Sequence, residues 1–411
     1  MRPTRSRVVI NMRIIALLFA ALLASAPALA QDHAHAHQAA ATVAGSTTVP
    51  FRLYGNHIYV KATVDGKAYA FVFDTGGAAS LSSIAEKQLN LPIVATAQIS
   101  GTGNSAETMG VVVPTVASLG DARLDKGYFL VLPAAIDLGS PYEGLAFGGI
   151  LGREFFARQI VTIDYAHKTL TLANPQVFRI DPNATALPLT LRSGVFPNVR
   201  AAVDGIEGSF DIDAGSPQAL MLSERFASAN GLVAKMPRTV EATAGRGVGG
   251  LMTGVAGRVN TLSLGGAVLT DPVAYIVHAT GGVFSAPDLD GNIGADILRR
   301  FTVTIDVPDK RLFLLKNDQF GAPFTFTRTG IATNHVAGAT IVVSVIPDSP
   351  AQQAGIRRGD TLVAIGGRSA ATLSPDQIKD YWTMPAGTTL RVTVSRGGKP
   401  FDVDLTLRDL L

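Results

Sequence analysis

The 411-residue sequence predicts a mostly β fold, built from two repeated lobes and a smaller C-terminal domain. Short apolar runs broken by Gly, Asn, Asp and Pro, in a chain with 42 glycines, favour strands over helix bundles. An apolar run that ends in an acid and a glycine occurs at 70–76 and recurs in altered form at 210–216. The segment after about residue 324 has no copy of this pattern, so it is expected to form a domain of its own.

The first 30 residues have the pattern of a secretory signal peptide. This stretch contains four arginines and an apolar run at 14–24, and Ala28-Leu29-Ala30 is a small-x-small cleavage site. Cleavage after Ala30 would place the protein in the periplasm or outside the cell, without a stable membrane span. The alternative is an uncleaved membrane anchor. Residues 31–47 begin with a stretch rich in Ala, His and Gln, and they are expected to be a flexible linker.

The charge and the Cys content of the chain exclude several classes of partner and anchor. The net charge of +3 includes the four arginines of the predicted signal peptide, and without them 31 of the 35 basic residues remain against 32 acidic ones. No basic stripe is left that would indicate a nucleic acid partner. Because the chain has no Cys, a lipid-modified N-terminus is excluded and stability must come from core burial rather than disulfides.

The two lobes are predicted over 48–180 and 181–320. In the first, Asp65-Gly66 indicates a hairpin turn between two apolar strands, and the second strand ends at Asp74. A short helix is expected over 82–89, because a serine there is in position to cap its first turn. The sequence thus places an acid at the mouth of a buried strand.

The internal repeat gives that acid a partner. Asp74 and Asp213 are 139 residues apart, and the other matched landmarks have offsets between 139 and 142. A Gly-rich segment at 101–105, expected to be a loop tip, has a counterpart at 245–250. Two acids at equivalent places in two similar lobes predict a paired site.

The third segment is predicted to fold as a domain over 324–411. Ser349-Pro350 and Ser374-Pro375 each combine a capping serine with a proline at the first helical position, which indicates two helix starts. Apolar alternation over 389–394 and 401–407 indicates a closing hairpin.

Two carboxyl groups held close together have a definite chemistry. Like charges cannot both ionise cheaply, so one group keeps its proton while the other remains a base, and the pair titrates as a unit. The base can take a proton from a water molecule while the acid polarises a carbonyl. Competing hydrolytic motifs are missing, because the chain has no Cys, no Gly-x-Ser-x-Gly elbow and no His-Glu-x-x-His.

These residues carry a resemblance to a known family. Asp74-Thr75-Gly76 after an apolar strand, with Ile150-Leu151-Gly152 later, resembles the retropepsin-like aspartic proteases. The second copy, Asp213-Ala214-Gly215-Ser216 with Asn292-Ile293-Gly294, resembles the matching lobe. The third segment resembles a bacterial PDZ domain, mainly through Asp348-Ser349-Pro350-Ala351. Together they are similar to an exported bacterial aspartyl protease family protein with a C-terminal PDZ domain.

The resemblance implies two tandem β lobes in a pseudo-twofold unit, with a polypeptide substrate in the cleft between them and no cofactor or metal. Asp74 and Asp213 would be the catalytic pair of an aspartic endopeptidase. The other implied active-site residues are the supporting Thr75, Gly76, Gly215 and Ser216 and the flap glycines Gly101, Gly103, Gly247 and Gly249.

For the PDZ segment, the resemblance implies a small β-barrel with two helices. Its groove would add the C-terminus of a peptide or protein as an extra strand and hold the carboxylate on backbone N–H groups. The carboxylate loop is placed at Thr329, Gly330, Ile331 and Ala332, with Ile378 on the facing helix. The chain itself ends in Leu410-Leu411, which suggests that it could bind its own groove.

The sequence also departs from the family pattern. Thr75 has Ala214 as its counterpart, so half of the lock between the two catalytic loops is missing, and Gly77 stands where the second lobe has Ser216. Neither flap loop carries a Tyr. The alternative function is therefore a catalytically inactive, protease-like adaptor that binds peptides, and a third possibility is that only the PDZ domain is functional.

Overall fold

A computed structural model describes residues 39–336 and 339–411, so the predicted signal peptide and the first part of the predicted linker lie outside the described residues. Within the described ranges, no helix has the length and apolar character needed to cross a bilayer. The described part of the predicted linker is packed against the first lobe. Ala41 and Val43 are buried, and the Ala41 N–H donates to the Glu154 carbonyl at 2.7 Å. The linker predicted over 31–47 therefore ends before Ala41, because these apolar side chains join the core.

The first lobe is built almost entirely of strands. Its one α-helix, α1 (Ser83–Leu89), is capped as predicted, since the Ser82 hydroxyl accepts from the Ala85 N–H. A 3₁₀ turn follows at Arg153–Phe155. The strands are β1 (Ser46–Tyr54), β2 (His57–Val64), β3 (Lys67–Phe73), β4 (Ser80–Leu81), β5 (Ala95–Ser100), β6 (Ala106–Val112), β7 (Val116–Leu119), β8 (Ala122–Asp125), β9 (Phe129–Val131), β10 (Phe147–Leu151), β11 (Ile160–Asp164) and β12 (Thr169–Ala173).

The second lobe repeats this plan. Its helical segments are α2 (Glu224–Ala229), α3 (Leu232–Lys235), α4 (Ala295–Leu298) and a 3₁₀ turn at Val283–Ser285. The strands are β13 (Thr185–Pro188), β14 (Thr190–Arg192), β15 (Phe196–Val203), β16 (Ile206–Asp213), β17 (Leu220–Ser223), β18 (Thr239–Gly247), β19 (Gly250–Arg258), β20 (Thr261–Leu264), β21 (Ala267–Thr270), β22 (Val273–Val277), β23 (Gly291–Gly294), β24 (Phe301–Asp306) and β25 (Arg311–Lys316).

Strand pairing shows that the two lobes are related by a pseudo-twofold axis. In the first lobe β10 pairs in parallel with β3 and antiparallel with β4, and in the second β23 pairs in the same way with β16 and β17. A continuous sheet joins the lobes, because β11 pairs antiparallel with β24. Thr162 lies opposite Thr304 in this register, with their hydroxyl oxygens 2.9 Å apart. These two threonines, which match in the repeat, mark the centre of the symmetry.

The C-terminal domain is a small sheet with its own apolar core. The predicted helix starts are confirmed at Ser349 and at Ser374, where Ser374 and Gln377 form a reciprocal capping box. The helices are α5 (Pro350–Gln353) and α6 (Pro375–Trp382), with a 3₁₀ turn at Ala370–Thr372. The strands are β26 (Ile331–Val336), β27 (Ala339–Val345), β28 (Thr361–Ile365), β29 (Arg368–Ser369), β30 (Thr389–Arg396) and β31 (Lys399–Thr406), with β26 at one edge of the sheet.

Arg300 fixes the segment that leads from the second lobe into the C-terminal domain. Its side chain is 1% exposed, and its guanidinium lies 3.6 Å from the ring centroid of Phe324. It donates to the carbonyls of Phe320 at 3.3 Å and of Ala322. A buried cation that is satisfied by several carbonyls and an aromatic face holds this connection in one conformation.

The C-terminus is packed against the lobes rather than in the groove of the C-terminal domain. Leu410 is buried in the apolar core of the lobes, and Leu411 packs against the same core. The Asp409 carbonyl accepts from Arg238 at 2.9 Å, and its carboxylate pairs with Arg328 at 2.6 Å. The suggestion that the chain binds its own groove is therefore wrong within one molecule, because its terminal leucines serve as core residues.

Candidate active site

The structure brings Asp74 and Asp213 together at the floor of the cleft between the lobes. Each acid ends a buried strand and is followed by a sharp turn that contains a glycine. A Cβ on Gly76 would lie 2.8 Å from the Asp213 Cγ, and a Cβ on Gly215 would lie 2.2 Å from the Asp74 Cγ. Glycine is required at both positions because each turn passes directly over the opposite carboxyl group.

Backbone N–H groups hold each carboxyl group in place. The Gly76 N–H donates to the Asp74 Oδ1 at 2.8 Å, and those of Gly215 and Ser216 donate to the Asp213 Oδ1 at 3.0 and 2.9 Å. The two carboxyl groups lie close together, because the glycine that follows each acid packs against the carboxyl group of the other. Two carboxyl groups held this close cannot both ionise cheaply, so the pair retains one proton, as general acid–base chemistry requires.

Burial and charge both favour a proton on the pair. Burial raises the pKa of Asp74 from its usual value. The pKa of Asp213 rises well above its usual value, first through burial and then through the negative charges of Asp74 and Asp211. The pair therefore holds a proton to higher pH than an isolated carboxyl group, and the charges near Asp213 favour its protonated form.

Thr75 is the residue that joins the turn carrying Asp74 to the turn carrying Asp213. Its hydroxyl donates to the Ile212 carbonyl at 2.6 Å and accepts from the Ala214 N–H at 2.9 Å, and the residue is fully buried. Ala214 is also fully buried but has no group that could return these bonds. The lock is half complete, as the sequence indicates, and both of its bonds come from the first lobe.

The difference between Gly77 in the first lobe and Ser216 at the equivalent position of the second lobe has a steric basis. A Cβ on Gly77 would lie 2.6 Å from the Asp74 Oδ2, so the first lobe has no room there for a serine. In the second lobe, Ser216 supports Asp213 through its backbone N–H, while its hydroxyl lies 3.6 Å from the Met221 sulfur. The hydroxyl that the first lobe lacks at Gly77 therefore has no equivalent role in the second lobe, where the Ser216 hydroxyl contacts Met221.

The two predicted flaps meet above the acids. We call the hairpins β5–β6 and β18–β19 the first and second flap. The Gly103 N–H donates to the Val248 carbonyl at 2.9 Å, and the Gly249 N–H donates to the Glu107 carboxylate at 3.1 Å. A Cβ on Gly103 would lie 2.1 Å from the Gly249 carbonyl carbon. Contact between the two tips at this distance requires glycine. The two flaps therefore form a closed cover, here called the roof, above the acids.

The other two flap glycines make equally close contacts. A Cβ on Gly101 would lie 2.6 Å from the Val248 Cβ, and one on Gly247 would lie 2.0 Å from the Thr102 hydroxyl. All four predicted flap glycines therefore lie at the junction of the two tips.

A cavity of about 560 Å³ lies between the roof and the acids. Its lining includes Asp74, Asp213 and Val248 of the second flap. It extends to the C-terminal domain, where Ala332 and Ile378 also line it. A cavity of this size with a few convergent polar groups is typical of a binding site.

Comparisons with known proteins agree with this architecture. Residues 60–155 and 199–297 match the family model described as aspartyl protease, and residues 328–407 match that of the PDZ domain. The two lobes are thus similar to the aspartyl protease family, and the C-terminal domain is a PDZ domain. The family and the fold class predicted from the sequence are thus confirmed.

Curated proteins match over shorter stretches. Serine protease HTRA1 of Xenopus tropicalis is 37% identical over 71 residues, which cover 17% of this chain and 14% of that protein. The carboxy-terminal-processing protease of Bartonella bacilliformis is 36% identical over 72 residues, which cover 17% of this chain and 16% of that protein. The chain therefore spans only a small part of the curated relatives it matches.

Solved structures match over more of the chain at low identity. The aspartic proteinase from Irpex lacteus aligns over 67% of this chain and 98% of its own, with a TM-score of 0.42 and 16% identity. Basic 7S globulin from soybean aligns over 68% of this chain and 97% of its own, with a TM-score of 0.39 and 13% identity.

Sequence reasoning missed a polar pair beside Asp213. Asn292 donates from its Nδ2 to the Asp213 Oδ2 at 2.7 Å, and Asp211 lies opposite Asn292 in the neighbouring strand. The corresponding positions of the first lobe are Val72 and Ile150, which also pair. The internal repeat could have revealed this pair, because the two positions are apolar in the first lobe and polar in the second.

Asp211 is held as a buried ion pair. The Arg192 Nε donates to both of its carboxylate oxygens, at 3.0 and 2.9 Å, and the Asn198 Nδ2 donates at 2.9 Å. The Asp211 carboxylate of this ion pair lies near Asp213, and its negative charge favours the protonated form of Asp213.

The predicted PDZ peptide-binding residues divide into two groups. Ala332 and Ile378 line the cavity, whereas Thr329, Gly330 and Ile331 do not. Thr329 is fully buried and its hydroxyl accepts from the Ile331 N–H at 3.2 Å, while Gly330 packs closely against Ser349. The loop N–H groups of Gly330 and Ile331 both donate to threonine hydroxyls, at long distances of 3.2 Å.

Proposed function

We propose that the protein is an aspartic endopeptidase that hydrolyses peptide bonds outside the cytoplasm. One observation carries the proposal: two carboxyl groups from matching strands lie together at the floor of a cavity that two flaps cover. The arrangement supplies a base, an acid and an enclosed space for an extended chain. A water molecule between the acids would be the nucleophile.

We assign the base to Asp74 and the acid to Asp213, because the negative charges around Asp213 favour its protonated form. Ionised Asp74 takes a proton from the water, whose oxygen bonds to the peptide carbonyl carbon, while Asp213 gives its proton to the carbonyl oxygen. The tetrahedral diol then collapses. The proton held by Asp74 passes to the leaving nitrogen as the C–N bond breaks, and a hydroxyl proton of the diol returns to Asp213. The flaps exclude bulk water during these steps.

Location outside the cytoplasm rests on the N-terminal pattern. An Arg-containing start, an apolar run and a small-x-small site together support export and cleavage after Ala30. N-terminal sequencing of the protein recovered from a periplasmic fraction tests this part. A mature chain that starts at Gln31 supports it, and an intact Met1 in the cytoplasmic fraction contradicts it.

A second candidate function is a peptide-binding adaptor without turnover. The half-complete lock favours it, because Ala214 has no hydroxyl that could return the bonds that Thr75 makes to the second turn. Incubating the purified protein with a mixed peptide library from pH 3 to 8, with products read by mass spectrometry, separates the two functions. Cuts support the endopeptidase. Folded protein that binds peptides but makes no cuts at any pH supports the adaptor.

Asn292 provides a test of the proton assignment. Its N–H favours ionised Asp213, so Asn292→Leu is expected to raise the pKa of Asp213 further and to extend activity to higher pH. A hydrogen bond to a charged group is worth about 1.5–3 kcal/mol, which corresponds to a shift of about one to two pH units in the upper limb of the profile. The measurement is kcat/KM as a function of pH.

Ile150→Leu is the matched control for Asn292→Leu, because Ile150 is the equivalent residue of the first lobe and donates no side-chain hydrogen bond. Its pH profile is expected to follow that of the wild type. An upper limb that stays in place or moves to lower pH in Asn292→Leu contradicts the assignment of the proton to Asp213.

A further inference from the structure

We propose that the PDZ groove and the catalytic cavity form one channel, so that a polypeptide held by its free C-terminal carboxylate is cut a fixed number of residues upstream. This inference rests on the proposed endopeptidase activity and names its substrate class: chains with an accessible, unmodified C-terminus. It assigns the PDZ domain the task of setting the position of the cut.

The first observation is that both sites line one cavity. Ala332 and Asn334 of β26, together with Pro375 and Ile378 of α6, share its surface with the catalytic acids. Strand β26 lies at the edge of its sheet, where an extended peptide can add as a further strand. The groove between β26 and α6 therefore opens directly into the cleft between the lobes.

The second observation fixes the direction of the bound chain. The Arg328 N–H donates to the Trp382 carbonyl at 2.7 Å, so the end of α6 lies at the loop that precedes β26. A peptide carboxylate held at this loop leaves the upstream residues to run along β26 toward the start of α6. There, the Gly55 N–H of the first lobe donates to the Asp376 carboxylate at 3.0 Å. The upstream end of the groove thus faces the lobes.

The third observation is that one turn of the first lobe connects that end of the groove with the catalytic turn. The turn between β1 and β2 runs from Gly55, which contacts α6, to His57. The Asn56 Nδ2 donates to the Pro217 carbonyl at 2.7 Å, and His57 lines the cavity together with Gly215 and Pro217. Burial lowers the pKa of His57 to about 4, so its ring is neutral and adds no charge to the channel.

The carboxylate end of the groove has donors available for exchange. The Ile331 N–H donates to the Thr329 hydroxyl at 3.2 Å, a long bond to a neutral acceptor. A carboxylate in place of that hydroxyl would make a shorter, charge-assisted bond. The contacts of Arg300 with Phe320 and Phe324 pack the connection to the PDZ domain against the second lobe, which restricts changes in the spacing between this loop and the acids.

The experiment uses a peptide that the wild-type protein cleaves, made with a free C-terminal carboxylate and with a C-terminal amide. We expect kcat/KM to fall at least tenfold for the amide. A second series extends the free-acid peptide by one, two and three residues at its C-terminus. The cut, located by mass spectrometry, is expected to move by the same number of residues.

Ala332→Trp places a large side chain in the groove and is expected to bring the ratio of kcat/KM for the free acid to kcat/KM for the amide close to one. Val363→Trp is its matched control, because Val363 is an exposed PDZ residue that does not line the cavity. Equal cleavage of acid and amide by the wild type, at positions that do not move with chain length, overturns the inference and leaves the endopeptidase in place. If the wild-type protein cleaves no peptide of the mixed library at any pH, both proposals are overturned.

Discussion

Asp213→Asn is expected to abolish peptide cleavage and to stabilise the protein near neutral pH. The amide cannot hold the proton that the carbonyl oxygen needs, so kcat is expected to fall by about 10³-fold or more. The measurement is cleavage of a peptide that the wild type cuts, across the pH range in which the wild type is active. Asp74→Asn is expected to cause an equal loss, because it removes the base.

The stability effect follows from the pKa of Asp213. Its folded-state pKa lies well above that of the unfolded chain, so the folded state binds the proton more tightly. The wild type therefore loses stability as the pH rises from about 4 through the raised pKa, whereas Asp213→Asn does not. Thermal unfolding at pH 4 and pH 7.5 is expected to show a higher melting temperature for the variant at the upper pH only.

Asp121→Asn is the control for both readouts, since Asp121 is an exposed acid that does not line the cavity. It is expected to leave cleavage and the pH dependence of stability unchanged. Full cleavage by Asp213→Asn would place the reaction at another site. An unchanged pH dependence of stability would mean that Asp213 is not protonated in the folded protein.

Gly103→Ala is expected to reduce kcat/KM by about 100-fold while leaving the melting temperature nearly unchanged. The new Cβ would lie 2.1 Å from the backbone of Gly249, so the tips must separate and the roof opens. A displacement of about 1 Å in groups that position the substrate lowers kcat/KM by about 100-fold. The flap tips contribute little to the core, which explains the small expected effect on stability.

Gly45→Ala is the matched control for the flap variant, because a Cβ at Gly45 has no neighbour within 4 Å. Equal activity of the two variants would contradict the view that the flaps must meet during catalysis. A large fall in the melting temperature of Gly103→Ala alone would assign the contact a structural role instead.

Much of the fold and the pair of acids could be predicted from local patterns. Asp74 and Asp213 each follow a buried strand and precede a glycine, and the repeat related them before any contact was known. The helix starts at Ser82 and Ser374 were also predictable, because capping depends on residues within one turn of each other.

The placement of the PDZ domain could not be predicted, because it depends on contacts between residues that are far apart in the chain. Gly55 and Asp376, which join the first lobe to α6, are separated by 321 positions. Leu410 leaves the PDZ domain to join the core of the lobes, although its sequence context suggested a ligand. Such contacts leave no periodic pattern in the sequence.

The sheet shared by the lobes also affects how the chain folds as it is made. The pairing of β11 with β24 joins Ile160 to Asp306, so the first lobe, whose last strand ends at Ala173, is complete about 130 residues before its edge is covered. Until then, β11 presents unpaired backbone groups beside apolar side chains, which is a site for aggregation. A chain that stops after the first lobe would keep this edge exposed. The second lobe thus protects the first during synthesis as well as supplying half of the active site.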